Sequence, residues 1–317
     1  MNMNISSTFL KKINLWNKVG LIFQLDKKSG YSHTSVPTAY KLKKNIIRIF
    51  FSSRNKNNES NIFFIDFNFK KKVVLNKKPQ LVLEPGDDGL FDDSGVTPSY
   101  IIKYKNSYNM YYVGWRSGSK TRMSLFVGLA KSKNLKNFKK IGKCPILDRN
   151  NIDPFLTATL SILKKKNELN MWYVSGDKWL RYRNESYPKY NIKFCTSKDG
   201  INWNRSNNIK INYLNNNEYA IARPSVQKIN GIYCMWYCYK KFSSEYKIGF
   251  AYSKDNKKWK RADNLVNFLG KNQMWENKMK CYPYVFVENK KIFMLYNGNE
   301  YGKTGIGLAY IDLNEQK

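Results

Sequence analysis

Five residues stand at one repeated place in this sequence. Tyr31, Asp92, Asp153, Glu218 and Asn277 each lie six positions before a recurring anchor residue. Three of them, on consecutive repeats, are acids. A fold that superposes the repeats would bring Asp92, Asp153 and Glu218, far apart in sequence, to one level. Three converging carboxylates suit cleavage of a glycosidic bond. One protonates the leaving oxygen, one activates water or attacks carbon, and the third raises the acid's pKa by like-charge repulsion. Taken singly, each would read as a cap at a strand start. Asp93 beside Asp92 and Glu276 beside Asn277 leave a one-residue ambiguity at each place.

A second set falls where the neighbouring strands should end: Arg54, Trp115, Arg116, Asp177, Lys178, Tyr239, Asn297 and Glu300, with Arg223 just before its anchor. An aromatic platform among charged hydrogen-bonding groups suits sugar hydroxyls, and arginine suits carboxylate or phosphate. The alternative for each is a solvated rim. His33, the only histidine, reads equally as a neutral hydrogen-bonder in a pocket and as a satisfied loop residue. With Lys240, Arg54, Arg116 and Lys178 predict a basic collar above a deeper acidic pocket.

These groups need elements to position them. The anchors are Pro37, Pro98, Thr159, Pro224 and Pro283, separated by 61, 61, 65 and 59 residues. Each opens an apolar strand, then a polar turn, then an aromatic-rich strand, which is a β-hairpin. A third strand follows each hairpin, with recurring small residues at Gly128, Gly249 and Gly307. A fourth, outer strand reads in NFKKIG, NWNRSN and KWKRAD, and more loosely in KKVVLN. The last repeat lacks one, and LWNKVG from Leu15 supplies it from the other end of the chain. The predicted fold is all-β: one five-bladed β-propeller over 1–317, with four antiparallel strands per blade. Its blades are approximately 31–83, 92–147, 153–211, 218–267 and 276–313, the last closed by the N-terminal strand 14–24. In the turns SKDG and SKDN an Asp caps the turn ahead of Trp203 and Trp259, a structural signature rather than a calcium site.

Composition agrees. The aromatic fraction is 15%, and such residues favour pleated, half-buried surfaces. The net charge of +33 has two readings. One is the Lys- and Asn-rich coding of an AT-rich genome, spread over solvated turns. The other is attraction for an anionic glycan, a phosphate or a nucleotide. No helical reading head or zinc-finger spacing supports specific nucleic-acid binding. The five cysteines read as reduced, buried thiols without a metal site. No signal peptide or membrane span is legible, so the expected location is the cytoplasm. No cofactor is implied, and the expected partner is a carbohydrate, with anionic and phosphorylated forms open.

The segments FDDSGVTPSYI, IDPFLTATLSI and EYAIARPSV, the SKDGINW turn and the fivefold hairpin pattern resemble the propeller glycosidases of glycoside hydrolase families 43 and 32. In those families an Asp, an Asp and a Glu act as base or nucleophile, pKa modulator and general acid. The resemblance carries these roles to Asp92, Asp153 and Glu218. Their first Asp comes from the first blade, whereas here that blade offers Tyr31 and His33. The chain is also similar to family 130 of mannoside phosphorylases and to related mannosyltransferases. Those combine a carboxylic acid with basic residues around phosphate, and Arg54, Arg116, Lys178 and Arg223 would supply them. The resemblance implies a glycoside hydrolase, with phosphorolysis or glycosyl transfer as the alternative. A non-catalytic glycan-binding propeller is the third reading.

Overall fold

A computed structural model describes residues 5–314. A short helix, α1 (Ser7–Lys12), precedes strand β1 (Leu15–Phe23). Strand groups then follow along the chain. The first is β2 (Ser32–Lys43), β3 (Ile46–Arg54), β4 (Ser60–Asn68), β5 (Val73–Val74) and β6 (Gln80–Leu83). The second is β7 (Gly95–Tyr104), β8 (Ser107–Ser117), β9 (Met123–Ser132) and β10 (Lys139–Lys140). The third is β11 (Thr157–Lys165), β12 (Glu168–Tyr182), β13 (Glu185–Ser197) and β14 (Asn204–Ile211). The fourth is β15 (Glu218–Ile229), β16 (Ile232–Lys241), β17 (Lys247–Ser253) and β18 (Lys260–Arg261), with β19 (Asn267–Phe268) after it. The last is β20 (Cys281–Glu288), β21 (Lys291–Asn297), the turn α2 (Asn299–Gly302) and β22 (Ile306–Asp312). Inside each group the long strands pair antiparallel in sequence order.

β1 pairs antiparallel with β22, so the N-terminal strand finishes the last group. The ends of the chain meet there: the Lys12 ammonium donates to the Leu313 carbonyl at 2.9 Å. Among the described residues no helix is long and apolar enough to cross a membrane.

The first strands of the groups form a closed ring. Thr38 donates to the Ser99 carbonyl, and the Leu160 amide donates to the Ser99 hydroxyl. The Val226 amide donates to Ser161, the Val285 amide to Ser225, and the Tyr284 hydroxyl to the Ala39 carbonyl. Matching positions of the repeat meet throughout, so the five strands lie side by side and run the same way. Each first strand also breaks register at its anchor, between Ser35 and Thr38, Pro98 and Tyr100, Thr157 and Leu160, Ala222 and Ser225, and Cys281 and Tyr284. An extra residue of this kind bends a strand and raises its twist, which eases convergence on an axis.

Aromatic side chains of the outer strands fill the space between groups. Phe138 meets Phe50 at 5.9 Å, Trp203 meets Tyr111 at 6.0 Å, and Trp259 meets Trp172 at 6.3 Å. Trp16 on β1 meets Trp236 at 5.7 Å in the same manner. The turn residues ahead of them behave as the sequence implies: Asp199 accepts from the amides of Ile201 and Asn202, and Asp255 from those of Lys257 and Lys258. Four of the cysteines are free and buried, but Cys144 is exposed, because its segment has left the outer strand.

Candidate functional site

The three acids expected to converge are instead locked inside their own strand groups. Asp92 takes the Lys140 ammonium at 2.7 Å and the Tyr112 hydroxyl at 3.1 Å. Asp153 takes Lys193, Arg205, Ser175 and Tyr173. Glu218 receives two bonds from the Arg261 guanidinium and the Leu214 amide. Glu276 repeats the pattern in the last group with Lys18 and Tyr296. All four acids are 1% exposed or less. A carboxylate buried among several donors is held firmly in place, and removing it would leave its cations unpaired. The sequence reading made Asp92, Asp153 and Glu218 a catalytic set and Glu276 a binding residue; the structure places each of them in ion pairs of its own strand group.

The construction of the lock explains other sequence features. Tyr112, Tyr173 and Tyr296 each lie 20 residues beyond the acid they serve. Burial first, then the neighbouring carboxylate, pushes all three phenols well above the usual tyrosine range. The third-strand partners of Tyr112, Tyr237 and Tyr296 are Gly128, Gly249 and Gly307. A Cβ at any of these glycines would collide with the tyrosine ring. In the third group the partner of Tyr173 is Lys193, whose ammonium serves Asp153 directly. In the fourth, Tyr237 donates to Asp263, and Arg261 joins Asp263 to Glu218. The first group has no such acid. Tyr31 stands in its place, with its ring 4.9 Å from Phe63, which stacks on Phe51 at 6.3 Å.

Two further residues expected to bind substrate are structural. Arg223 is buried on the axis. Its guanidinium donates to the carbonyls of Pro37 and Ser99 and to the Thr38 hydroxyl. Its own amide donates to Thr159, and its guanidinium lies 5.5 Å from the Tyr284 ring centroid. The side chain thus touches the first strands of the first, second and last groups, and the residue's own amide reaches that of the third. Burial lowers its pKa to about 10, so it stays charged at neutral pH, solvated by carbonyl dipoles. Asn297 is also buried: its amide donates to the carbonyls of Thr34 and Gly305, and its oxygen accepts from the Val36 amide.

What remains gathers at the end of the ring where the first strands begin. There, α2 docks on the start of β2: Ser35 donates to the Tyr301 carbonyl and Thr34 to that of Gly302. Glu300 and Tyr301 hold left-handed backbone at φ 52° and 57°, a conformation costly for side-chain-bearing residues and typical of functional turns. This brings Glu300 and Lys303 to His33 and Arg54. Burial, then the charges of Arg54 and Lys303, lowers the His33 pKa to about 4, so the imidazole is neutral at pH 7. Lys303 holds the exposed Glu300 carboxyl below its usual range.

Across the same mouth Lys240 donates to the Tyr301 hydroxyl at 2.7 Å and to Glu245 at 3.1 Å, beside the Tyr246 ring. Burial works to lower its pKa, but the bonds to Tyr301 and Glu245 and the neighbouring tyrosines leave it raised. Tyr246 contacts Tyr190, Tyr282 and Tyr301. Lys240 appeared in the sequence only as part of a basic collar. Tyr246 opens a repeated third strand, as Tyr190 does one repeat earlier, but Glu245, Tyr301 and Lys303 carry no repeat signal. Asp177 and Lys178 are exposed, and Asp177 is the bulged residue between Gly176 and Lys178. Asp93 pairs with Arg116 at 3.2 Å on the second group, and Trp115 donates to Ser60. Tyr239 lies over the Arg261 guanidinium in a cleft of about 280 Å³ between the fourth and last groups.

The C-terminal half of the sequence matches the model of a known family, described as β-1,4-mannooligosaccharide phosphorylase, over residues 178–306. An uncharacterised protein from two strains of Mycobacterium tuberculosis is 29% identical over 301 residues, covering 94% of this chain and 99% of its own. A solved glycoside hydrolase superposes with a TM-score of 0.76 at 17% identity, covering 99% of this chain and 97% of that one. A second solved structure comes from work on family 130 mannoside phosphorylases and the hydrolases among them that target β-1,2 mannosidic linkages in Candida mannan. It gives a TM-score of 0.65 at 14% identity, with 90% and 86% covered. The chain has the fold of the propeller-type glycoside hydrolases and, over residues 178–306, the sequence pattern of the β-1,4-mannooligosaccharide phosphorylase family.

Proposed function

We propose that the five strand groups are the five blades of one propeller domain spanning the chain. We further propose that this propeller is a carbohydrate-active enzyme that moves a glycosyl unit to or from phosphate at its mouth. The observation that carries this reading is Lys240, bonded to Tyr301 and Glu245 and flanked by the Tyr246 ring. Its partner Tyr301 lies on the turn that carries Glu300 and Lys303, whose charges, with that of Arg54 on β3, act on neutral His33 on β2. Tyrosine rings and hydroxyls suit a sugar, and an ammonium with a nearby guanidinium suits phosphate. Hydrolysis by three axial carboxylates loses its support, since each of those acids is already paired. Glu245, exposed and bonded to Lys240, is the carboxylate placed to handle a proton. Glu300, held ionised, serves as a charge rather than an acid.

The test is incubation with β-1,4-mannooligosaccharides in phosphate buffer, assayed for mannose 1-phosphate. The reverse reaction, from mannose 1-phosphate and an acceptor sugar, is assayed for released phosphate. Phosphate-dependent turnover lost in Lys240→Ala supports the proposal. Release of free sugar at a rate indifferent to phosphate would make the chain a hydrolase. Sugar binding without turnover would make it a glycan-binding propeller.

A further inference from the structure

The end of the ring opposite the mouth carries the turns between first and second strands and those between third and fourth strands. Four of the five first turns present an exposed lysine, Lys44, Lys105, Lys166 and Lys290, and Lys228 stands exposed near the end of β15, just before the other. The second set of turns adds Lys71, Lys133, Lys198 and Lys257. The turns interlock across group boundaries, as where the Tyr104 hydroxyl donates to the Lys198 carbonyl.

Acids on this face do not offset the lysines. Glu288 and Asp312 are held by Lys41 and Lys291 at 2.7 Å each. Asp199 and Asp255 cap their own turns, and Glu168 stands opposite Lys165 in the β11–β12 pairing. The exposed acids Asp87, Asp177, Glu185, Glu245 and Glu300 all lie toward the mouth.

An AT-rich code alone does not explain this. Lys105, Lys166 and Lys290 hold left-handed backbone at φ 52°, 50° and 59°. Asparagine suits that conformation far better, and its codons are as AT-rich as those of lysine. Asn45 and Asn230 fill comparable turns at φ 64° and 48°. Lysine stands at three strained positions where the easier residue was equally available. Among the lysines, Leu42 and Val287 are 37% and 42% exposed, at the ends of strands β2 and β20, which the Lys41–Glu288 pair joins.

We propose that this face docks on an anionic membrane surface, with the mouth turned away from the lipid. A flat ring of lysines matches a plane of negative headgroups, to which each contributes about 1 kcal/mol of attraction. Leu42 and Val287 would enter the interfacial layer between them. The inference is independent of the reaction at the mouth.

The experiment is flotation of the full chain with phosphatidylcholine vesicles, with and without about 30% phosphatidylserine. Binding should require phosphatidylserine and weaken steeply as salt rises through about 0.1 M, where the screening length is about 10 Å. In a variant with asparagine at 44, 105, 166, 228 and 290, the changes at 105, 166 and 290 relieve backbone strain. Those at 44 and 228 fall on exposed side chains, so the variant should fold about as well as the parent, as a thermal melt checks. Its affinity for the anionic vesicles should fall by at least about tenfold. Lys240→Ala should bind vesicles as the parent does. Unchanged vesicle affinity in the five-asparagine variant would overturn the proposal. So would tighter binding to duplex RNA than to vesicles at equal phosphate concentration.

Discussion

Lys18 and Glu276, 258 residues apart, form an ion pair at 2.9 Å that repeats, in the last strand group, the contact Lys140 makes with Asp92. Arg205 with Asp153 and Arg261 with Glu218 complete the series. In each case a cation on the outermost strand reaches an acid ahead of the innermost one, across the full width of the group. The pairs fasten the second to last groups edge to edge, and the last of them joins β1 to the segment before β20.

Replacing one of these acids should therefore unfold the protein before it alters chemistry. Asp153→Asn leaves Lys193 and Arg205, 8% and 12% exposed, without their carboxylate. Breaking a buried pair from one side costs about 3–5 kcal/mol. Urea unfolding should show that loss in the midpoint. A variant of parental stability that has lost turnover would restore Asp153 to the active site.

Arg223→Met should be as damaging for a different reason. It strips donors from the Pro37 and Ser99 carbonyls and the Thr38 hydroxyl on the axis, where water has little room to replace them. Each unsatisfied buried group costs about 1–3 kcal/mol. Arg223→Lys should recover only part of the loss, because one ammonium cannot span two strands as the guanidinium fork does. Thermal melts of the two variants, compared with the parent, check the order.

His33 offers a direct readout of the mouth, since it is the only histidine in the sequence. Its folded pKa, about 4, lies below the unfolded value. The unfolded chain therefore binds more protons between about pH 6.5 and 4. Stability from this group is whole above that window and declines as pH falls through it. Because the ring is partly exposed, the decline should be only about 1 kcal/mol. His33→Gln should flatten it. Phosphate or a sugar phosphate near Arg54 and Lys303 would offset their charges and raise the pKa, seen as a shift of the single imidazole proton titration by NMR. An unmoved titration at saturating phosphate would place the anion elsewhere.

If Lys240 holds the anion, Lys240→Ala should raise KM for the phosphorylated substrate by about tenfold or more, since a charge-assisted hydrogen bond contributes about 1.5–3 kcal/mol. Lys178→Ala, at an exposed site, should have little effect. Steady-state kinetics in the synthetic direction separates the two.

The strands were legible because their signals repeat. Proline anchors, aromatic second strands and SKDG turns recur at nearly constant spacing, and each reports a local constraint. The acids repeat for the same reason, and repetition itself is the clue to their role. Asp92–Tyr112, Asp153–Tyr173 and Glu276–Tyr296 share one separation, as parts of a scaffold copied in every group do. The mouth has no such regularity. Lys240 lies at the end of β16, Tyr246 just ahead of β17, and Tyr301 and Lys303 on the α2 turn, and the closed ring brings them together.

The pairing of β1 with β22 also sets an order of events during synthesis. Strand β1 leaves the ribosome long before its antiparallel partner β22, which emerges nearly 300 residues later. Until then both present open hydrogen-bonding edges, and a growing chain has every reason to keep them apart from other copies of itself. A nascent-chain chaperone, or a pause before Ile306, would matter more to the yield of this protein than to that of a chain whose neighbours in space are neighbours in sequence.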